Sequence, residues 1–152
     1  MAAAGITVRR ATIADLDRLV QLFDAYRQFY RRPSDPEGAR RFLAERMERE
    51  ESVILLAVEN TGTALGFAQV YPSFSSGAIA RIFILNDLYV SGDSRRRGAA
   101  SALLEAAGRF GRSVGALRLT LSTEVTNSTA RAVYGELGWK QDDVFCVYHL
   151  GL

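Results

Sequence analysis

LYVSGDSRRRGAAS, residues 88–101, is the stretch in which two kinds of hydrophobic pattern meet. Residues 80–90 have the character of a long strand, and from Gly98 to Ser113 apolar residues recur at the period of about 3.6 that is typical of a helix. A basic, glycine-containing loop at the start of a helix presents unpaired backbone N–H groups and the positive end of the helix dipole, which suits phosphate. Taken alone, the arginines at 95–97 fit a phosphate-binding loop and, as readily, a solvated turn or a weak nucleic-acid patch.

Outward from this stretch, the pattern predicts strands and helices in alternating groups. Thr12 with Asp15 resembles a capping box, and Asp35 followed by Pro36 is typical of a helix start. Pro72 is expected to end a strand. The order favours a mixed α/β sheet with helices on its faces. The predicted elements are a strand at 6–8, helices at 12–30 and 36–50, strands at 53–58, 64–71 and 80–90, a helix at 98–113, a strand at 117–121, a helix at 128–137 and a strand at 144–150.

Composition indicates an ordinary globular chain of 152 residues, with 48% hydrophobic and 24% charged residues. A chain of this length buries enough surface for a core without metal or disulfide staples, and Cys146, the only cysteine, excludes an internal disulfide. No apolar run approaches the roughly 18 residues of a membrane span. Residues 1–5 lack the basic and apolar regions of a signal peptide. We therefore expect a cytoplasmic protein that does not bind a membrane.

Several classes of partner and cofactor are disfavoured. A net charge of +2 is too weak to indicate nucleic acid, and the chain has no helix-turn-helix or zinc pattern. With His149 as the only histidine and no cluster of ligand residues, we expect no metal. No Gly-x-Gly-x-x-Gly follows a strand and no Gly-x-x-x-x-Gly-Lys-Ser/Thr is present, which argues against Rossmann and Walker-type nucleotide sites.

A second informative element is the predicted helix at 128–137. Asn127 lies where an N-cap belongs, and Tyr134 follows two helical turns later, so both can face one groove. Gly138 and Trp139 come directly after the helix. Considered alone, these residues also fit purely structural roles: Asn127 as a helix cap, Tyr134 as a core aromatic and Gly138 as a helix stop.

Together the loop and the helix resemble the acetyl-CoA-dependent N-acetyltransferases of the GNAT superfamily. Arg95-x-x-Gly98-x-Ala100 matches the family's pyrophosphate loop, and Asn127-x-x-Ala130-x-x-x-Tyr134-x-x-x-Gly138-Trp139 matches its late motif. The order of elements matches too. The resemblance implies one acetyltransferase domain over residues 1–152, with a mixed, mostly antiparallel, twisted sheet of six to seven strands flanked by about four helices.

The resemblance also implies roles for individual residues. The main chain of Leu88 and Val90 would pair with the pantetheine arm as a strand does, and the Val90 N–H would polarise the acetyl carbonyl. Asn127 would bind the pantetheine region, and Tyr134 would protonate the departing thiolate. Backbone N–H groups of the loop would hold the pyrophosphate. The implied cofactor-binding residues are Leu88, Tyr89, Val90, Arg95, Arg96, Arg97, Gly98, Ala99, Ala100, Ser101 and Asn127.

The attacking amine must lose a proton, because a free alkylamine has a pKa of roughly 10.4. Asp87 is the first candidate base and Glu124 the second. An alternative interpretation that fits equally well is that Asp87 forms an ion pair with Arg81 or another arginine. Regular alternation puts Asp87 on one strand face with Phe83, Leu85 and Tyr89, unless a β-bulge shifts the register.

The segments 66–69 and 86–90 look like the branch that acetylates diamines and polyamines, and are similar to yeast histone and polyamine acetyltransferases. That branch often has an acidic pair where this chain has Asn86 and one carboxylate. The expected acceptor is a small-molecule or peptidyl amine, and a non-catalytic acyl-CoA-binding module is the alternative. By analogy, 144–150 is a candidate shared edge of a homodimer. Candidate residues of an acceptor cleft are Tyr26, Tyr30, Tyr71, Phe74, Asp142 and Asp143, although Tyr26 and Tyr30 also fit the core face of a helix and Asp142–Asp143 a solvated turn.

Overall fold

The structure is a computed structural model that describes residues 5–152. Residues 1–4, within the segment that lacks signal-peptide features, lie outside the described part. The described chain divides into two compact units, one ending at Ser122 and the other beginning at Thr123. The first unit contains the sheet and three α-helices, and the second contains the fourth helix.

The predicted α/β class and mixed sheet are confirmed. The five strands lie in the order β1-β2-β3-β4-β5; the first four pair antiparallel, and β5 is parallel to β4. Single 3-10 turns at Ile13–Asp15 and Gly92–Ser94 connect the neighbouring elements. The elements are β1 (Ile6–Arg10), α1 (Leu16–Phe29), α2 (Pro36–Glu48), β2 (Val53–Glu59), β3 (Ala64–Ser75), β4 (Ala80–Val90), α3 (Ala99–Ser113), β5 (Leu119–Leu121) and α4 (Ser128–Glu136).

The prediction of six to seven strands is wrong, because residues 144–150 form no strand. Apolar residues are frequent there, but a strand also needs a neighbouring edge to satisfy its backbone. No such pairing is formed within the described residues, and the Phe145 and Tyr148 side chains are exposed.

Pro72 does not end its strand either, because β3 continues to Ser75 and pairs with β4 along the way. On its other side, β3 pairs with β2 only as far as Val70. Pro72 therefore lies where β3 is an edge strand, and an edge tolerates a residue that has no N–H group.

The core of the first unit lies on both faces of the sheet. On one face, Leu19 and Phe23 of α1 and Leu43 of α2 pack with Leu56 and Phe67 of the sheet. The three- and four-residue spacing of apolar side chains in α1 creates this packing stripe. On the other face, α3 buries Leu103, Leu104 and Ala107, and its Phe110 ring lies 5.1 Å from the Phe83 ring. Helices therefore cover both faces of β4.

The predicted capping box before α1 is present and includes a buried carboxylate. Asp15 is 2% exposed and accepts hydrogen bonds from Arg9 at 2.8 Å, from Arg18 at 2.8 Å and from the Thr12 N–H at 2.9 Å. The Arg9 guanidinium, with the other donors, holds the pKa of Asp15 well below its usual range. A carboxylate with a lowered pKa stabilises the fold at pH values above its ordinary pKa of about 3.9. This contribution to stability is lost as the pH falls below that value.

Replacement of Asp15 by Asn is expected to lower the free energy of unfolding at pH 7 by about 2 kcal/mol, because charge-assisted hydrogen bonds are lost. The difference from the unsubstituted protein should shrink as the pH falls below about 4. Urea unfolding at pH 7 and pH 3 measures both effects. Asp17→Asn is the matched control, since Asp17 is an exposed partner of Arg40. Equal losses in the two variants would contradict the prediction.

Candidate functional site

One edge of β4 is open near its carboxyl end. β5 pairs only with the segment from Phe83 to Leu85, so within residues 5–152 the segment 86–90 has no strand neighbour on the β5 side. The Ser91 N–H donates to the Leu65 carbonyl at 2.9 Å, on the β3 side. Since the direction of main-chain groups alternates along a strand, those of Leu88 and Val90 face the open edge. An extended ligand could pair there as an additional strand does.

The loop after β4 ends in a helix start without a side-chain cap. Gly98 occupies the N-cap in the left-handed region, with φ of +83°, a conformation that glycine adopts without strain. The first turn of α3 contains no acidic residue. The N–H groups of Ala99, Ala100 and Ser101 have no acceptor one turn earlier within the helix, so they can bind an anion.

Two of the three arginine side chains of the loop, those of Arg95 and Arg97, are engaged with protein groups. The Arg95 guanidinium lies over the Phe29 ring, 5.3 Å from its centre, and its Nε donates to the Val90 carbonyl at 3.4 Å. Arg97 forms an ion pair with Glu59 of β2, which lowers the pKa of Glu59. The main chain, more than these side chains, is therefore the available anion-binding group. Arg96 has a positive φ of 62°.

A β-bulge in β4 determines where Asp87 points. Gln69 pairs with Asp87 but Val70 pairs with Leu85, so Asn86 is an extra residue. The bulge places Leu85 with Phe83 on the α3 face and Asp87 with Tyr89 on the α1 face. The prediction from regular alternation, that Asp87 shares a strand face with Phe83 and Leu85, is therefore wrong. The β-bulge that was the alternative is present.

Asp87 is buried, with only 3% of its surface exposed. It accepts hydrogen bonds from Gln69 Nε2 at 2.5 Å and from Asn86 Nδ2 at 3.0 Å. Within residues 5–152 no arginine forms an ion pair with it, so its pairing with Arg81 is wrong. Arg81 instead lies over the exposed Phe74 ring, which gives Phe74 a surface contact.

Two phenols of the candidate acceptor cleft, Tyr26 and Tyr71, are affected by the charge of the Asp87 carboxylate. Burial, and then the charge of Asp87, raise the pKa of Tyr26 and of Tyr71. Tyr26 also packs against Tyr30, with ring centres 5.1 Å apart. Both phenols are therefore protonated donors at neutral pH. Tyr89, predicted to bind cofactor, directs its ring toward Tyr26, with centres 6.3 Å apart.

The second unit contains the late motif. Asn127 Oδ1 accepts from the Ala130 N–H at 3.2 Å, so Asn127 caps α4 as predicted. The Tyr134 ring is half-buried and lies 6.2 Å from the Trp139 ring. Glu124 is exposed. Asp142 accepts from the N–H groups of residues 144 and 145, which agrees with the alternative of a turn.

Two buried polar residues were missed as functional candidates. Gln69 is fully buried in β3, and its Oε1 accepts from the Ser52 hydroxyl at 2.8 Å. Ser52 is 6% exposed. A glutamine in the otherwise apolar run from Leu65 to Val70 is the signal that could have identified this contact, since buried polar groups require partners.

No group of three or more His, Cys, Asp or Glu residues within residues 5–152 could hold a metal ion. None of the helices in this part of the chain has the length and apolar character needed to cross a membrane.

Comparisons with known proteins agree with this geometry. Residues 19–139 match the family model described as the acetyltransferase (GNAT) family. The uncharacterized N-acetyltransferase YhfO of Bacillus subtilis (strain 168) is 45% identical over 147 residues, 97% of this chain and 98% of the relative. The aminoglycoside N(6')-acetyltransferase type 1 of Klebsiella aerogenes is 30% identical over 102 residues, 66% of each chain. A crystal structure of a probable acetyltransferase, 43% identical, covers 96% of this chain and 97% of its own, with a TM-score of 0.92.

Proposed function

The chain is an N-acetyltransferase of the GNAT family, and from this premise we propose that it moves an acetyl group from acetyl-CoA directly to an amine within a ternary complex. The proposal rests on one observation: β4 has an open edge near its carboxyl end, and a short loop connects β4 to the start of α3, which has no side-chain cap. The edge suits an extended pantetheine arm, and the helix start suits a pyrophosphate.

The reaction needs a donor at each atom on which negative charge develops. The amine nitrogen attacks the thioester carbon, the C–S bond breaks and the thiolate takes a proton. We assign the Val90 N–H, which faces the open edge, to the carbonyl oxygen. Tyr134, which matches the tyrosine of the family's late motif, is assigned as proton donor to the sulfur. A phenol of ordinary pKa near 10 can donate to a thiolate whose thiol has a pKa of about 8.5.

The amine proton must also leave, and we assign Asp87 as the base. Its carboxylate lies one residue before Leu88, on the strand that would contact the acetyl arm, and its amide donors hold it in a defined direction. Burial favours this assignment over Glu124, which is exposed. A carboxylate shielded from bulk water interacts more strongly with an ammonium group.

The acceptor class is proposed to be a small amine, polyamine, amino acid or lysine side chain. Aromatic rings and a carboxylate suit a cation, and Asp87 lies among Tyr26 and Tyr71. The similarity to an aminoglycoside acetyltransferase adds a polyamine-like antibiotic to the acceptors worth testing. A homodimer, a cytoplasmic location and a single domain over residues 1–152 stay predictions.

Incubation with acetyl-CoA and separate amines is expected to release free thiol only with an accepted amine, and to increase the mass of that amine by one acetyl group. Putrescine, spermidine, lysine and an aminoglycoside form the panel, and acetyl-CoA without an amine is the control. Thiol release and product mass are the measurements. Failure of the whole panel to exceed the control would remove the polyamine-like hypothesis, and acetyl-CoA binding without turnover on a metabolite extract would favour the binding module.

A further inference from the structure

Three buried polar side chains connect the start of β2 to the bulge of β4. Ser52, Gln69 and Asp87 are 6%, 0% and 3% exposed. The Ser52 hydroxyl donates to Gln69 Oε1 at 2.8 Å, and Gln69 Nε2 donates to Asp87 Oδ2 at 2.5 Å. A single amide therefore joins a hydroxyl to the proposed base across three strands.

The chemistry of these groups permits one orientation of the amide. An ionised carboxylate only accepts hydrogen bonds, so Gln69 must present its NH₂ group to Asp87. Its oxygen then faces Ser52, whose hydroxyl can donate. In the opposite orientation, the Gln69 oxygen would lie about 2.5 Å from a carboxylate oxygen, which is repulsive. In this orientation the Gln69 oxygen needs a hydrogen-bond donor, and the Ser52 hydroxyl is that donor.

The remaining neighbours of Asp87 do not replace this contact. Asn86 donates to the other carboxylate oxygen at 3.0 Å. Tyr26 approaches from α1 and Tyr71 from β3, and the charge of Arg46 on α2 acts on Tyr71. Gln69 is therefore the amide donor to Oδ2, and the Ser52 hydroxyl is the donor to the Gln69 oxygen.

We propose that Ser52 is a positioning residue that, through Gln69, holds the Asp87 carboxylate in its catalytic direction. The inference rests on the proposed function, in which Asp87 accepts the amine proton. Ser52 touches no reacting atom. Its effect is expected on the chemical step and not on the binding of acetyl-CoA.

Replacement of Ser52 by Ala is expected to lower kcat about 10-fold, because small displacements of a catalytic group are costly, while the KM for acetyl-CoA stays unchanged. Ser113→Ala is the matched control: its hydroxyl donates to the Phe110 carbonyl at 2.7 Å on the exposed end of α3. The control should keep the kcat of the unsubstituted enzyme. Equal kcat in Ser52→Ala and Ser113→Ala would overturn the proposal.

A double-mutant cycle tests whether Ser52 acts through Asp87. In the Asp87→Asn background, adding Ser52→Ala should change kcat less than twofold, since residues that act through one group are not additive. A further 10-fold loss in that background would indicate a general structural role and would overturn the proposal.

A measurement without substrate separates this inference from the proposed function. The side-chain amide resonances of Gln69 are expected to move and to exchange faster with water in Ser52→Ala, and to stay unchanged in Ser113→Ala. Unchanged Gln69 resonances in Ser52→Ala overturn the proposed contact whether or not an amine substrate is found. Absence of turnover on every amine would overturn the proposed function, and with it the catalytic meaning of the contact.

Discussion

Phenylalanine in place of Tyr134 is expected to lower kcat about 100-fold, because a positioned proton donor contributes at least that factor to a reaction whose leaving group needs a proton. The substitution removes one hydroxyl and keeps the ring that packs against Trp139. The Kd of acetyl-CoA should therefore change less than about twofold. Steady-state kinetics and calorimetric titration with acetyl-CoA measure the two quantities separately.

Tyr148→Phe is the matched control for this variant. Tyr148 belongs to the same unit, and its side chain is 89% exposed, so loss of its hydroxyl should leave kcat unchanged. A binding module without catalysis has no use for the Tyr134 hydroxyl. Parallel losses of turnover and acetyl-CoA affinity in Tyr134→Phe would contradict the role of proton donor and indicate a part in binding.

Alanine in place of Gly66 is expected to lower the free energy of unfolding by about 3 kcal/mol, at the upper end of the cost of overpacking. A Cβ atom at this position would lie 2.3 Å from the Tyr89 carbonyl oxygen and 3.0 Å from Val90 Cα. Both contacts are with backbone, so the strands must move apart. Because Gly66 pairs with Val90, the same movement should displace the N–H assigned to the acetyl carbonyl and lower kcat.

Gly77→Ala provides the comparison for Gly66→Ala. Gly77 is exposed, and apart from its two chain neighbours no atom of residues 5–152 would lie within 4 Å of a Cβ at this position, so its substitution should leave stability nearly unchanged. Urea unfolding of both variants measures the difference. Equal unfolding midpoints would show that β3 and β4 accommodate a methyl group at Gly66, and the explanation by close approach would then be wrong.

Several elements could be predicted from sequence because their signals are local. The bounds of β4, Ala80–Val90, match the prediction, and α3 begins one residue after the predicted Gly98. Gly98 has no side chain, and the helical period follows at once, so neighbouring residues suffice to indicate the helix start. Only the family resemblance predicted the open edge of β4. The edge is open because β5 is short, and the length of β5 depends on how far it pairs with β4.

The direction of Asp87 could not be predicted from neighbouring residues. The extra residue at Asn86 is recognisable only when β4 is paired with β3, and at the bulge the facing residues Gln69 and Asp87 are 18 positions apart in sequence. The same limit applies to Ser52, which contacts Gln69 across two paired strands. Residues 144–150 show that a local apolar pattern is not sufficient for a strand, because this stretch has no neighbouring strand edge within the described residues and forms no strand.

Local hydrophobic period, helix capping and the two motifs were therefore enough to indicate the helices, most strands, the loop that precedes α3 and the family. Long-range pairing was needed to establish the bulge that turns Asp87 toward α1, and the amide contact that holds it there. The physical reason is that periodicity and capping involve residues within one or two turns. Register and buried hydrogen bonds depend on which distant segment supplies the partner.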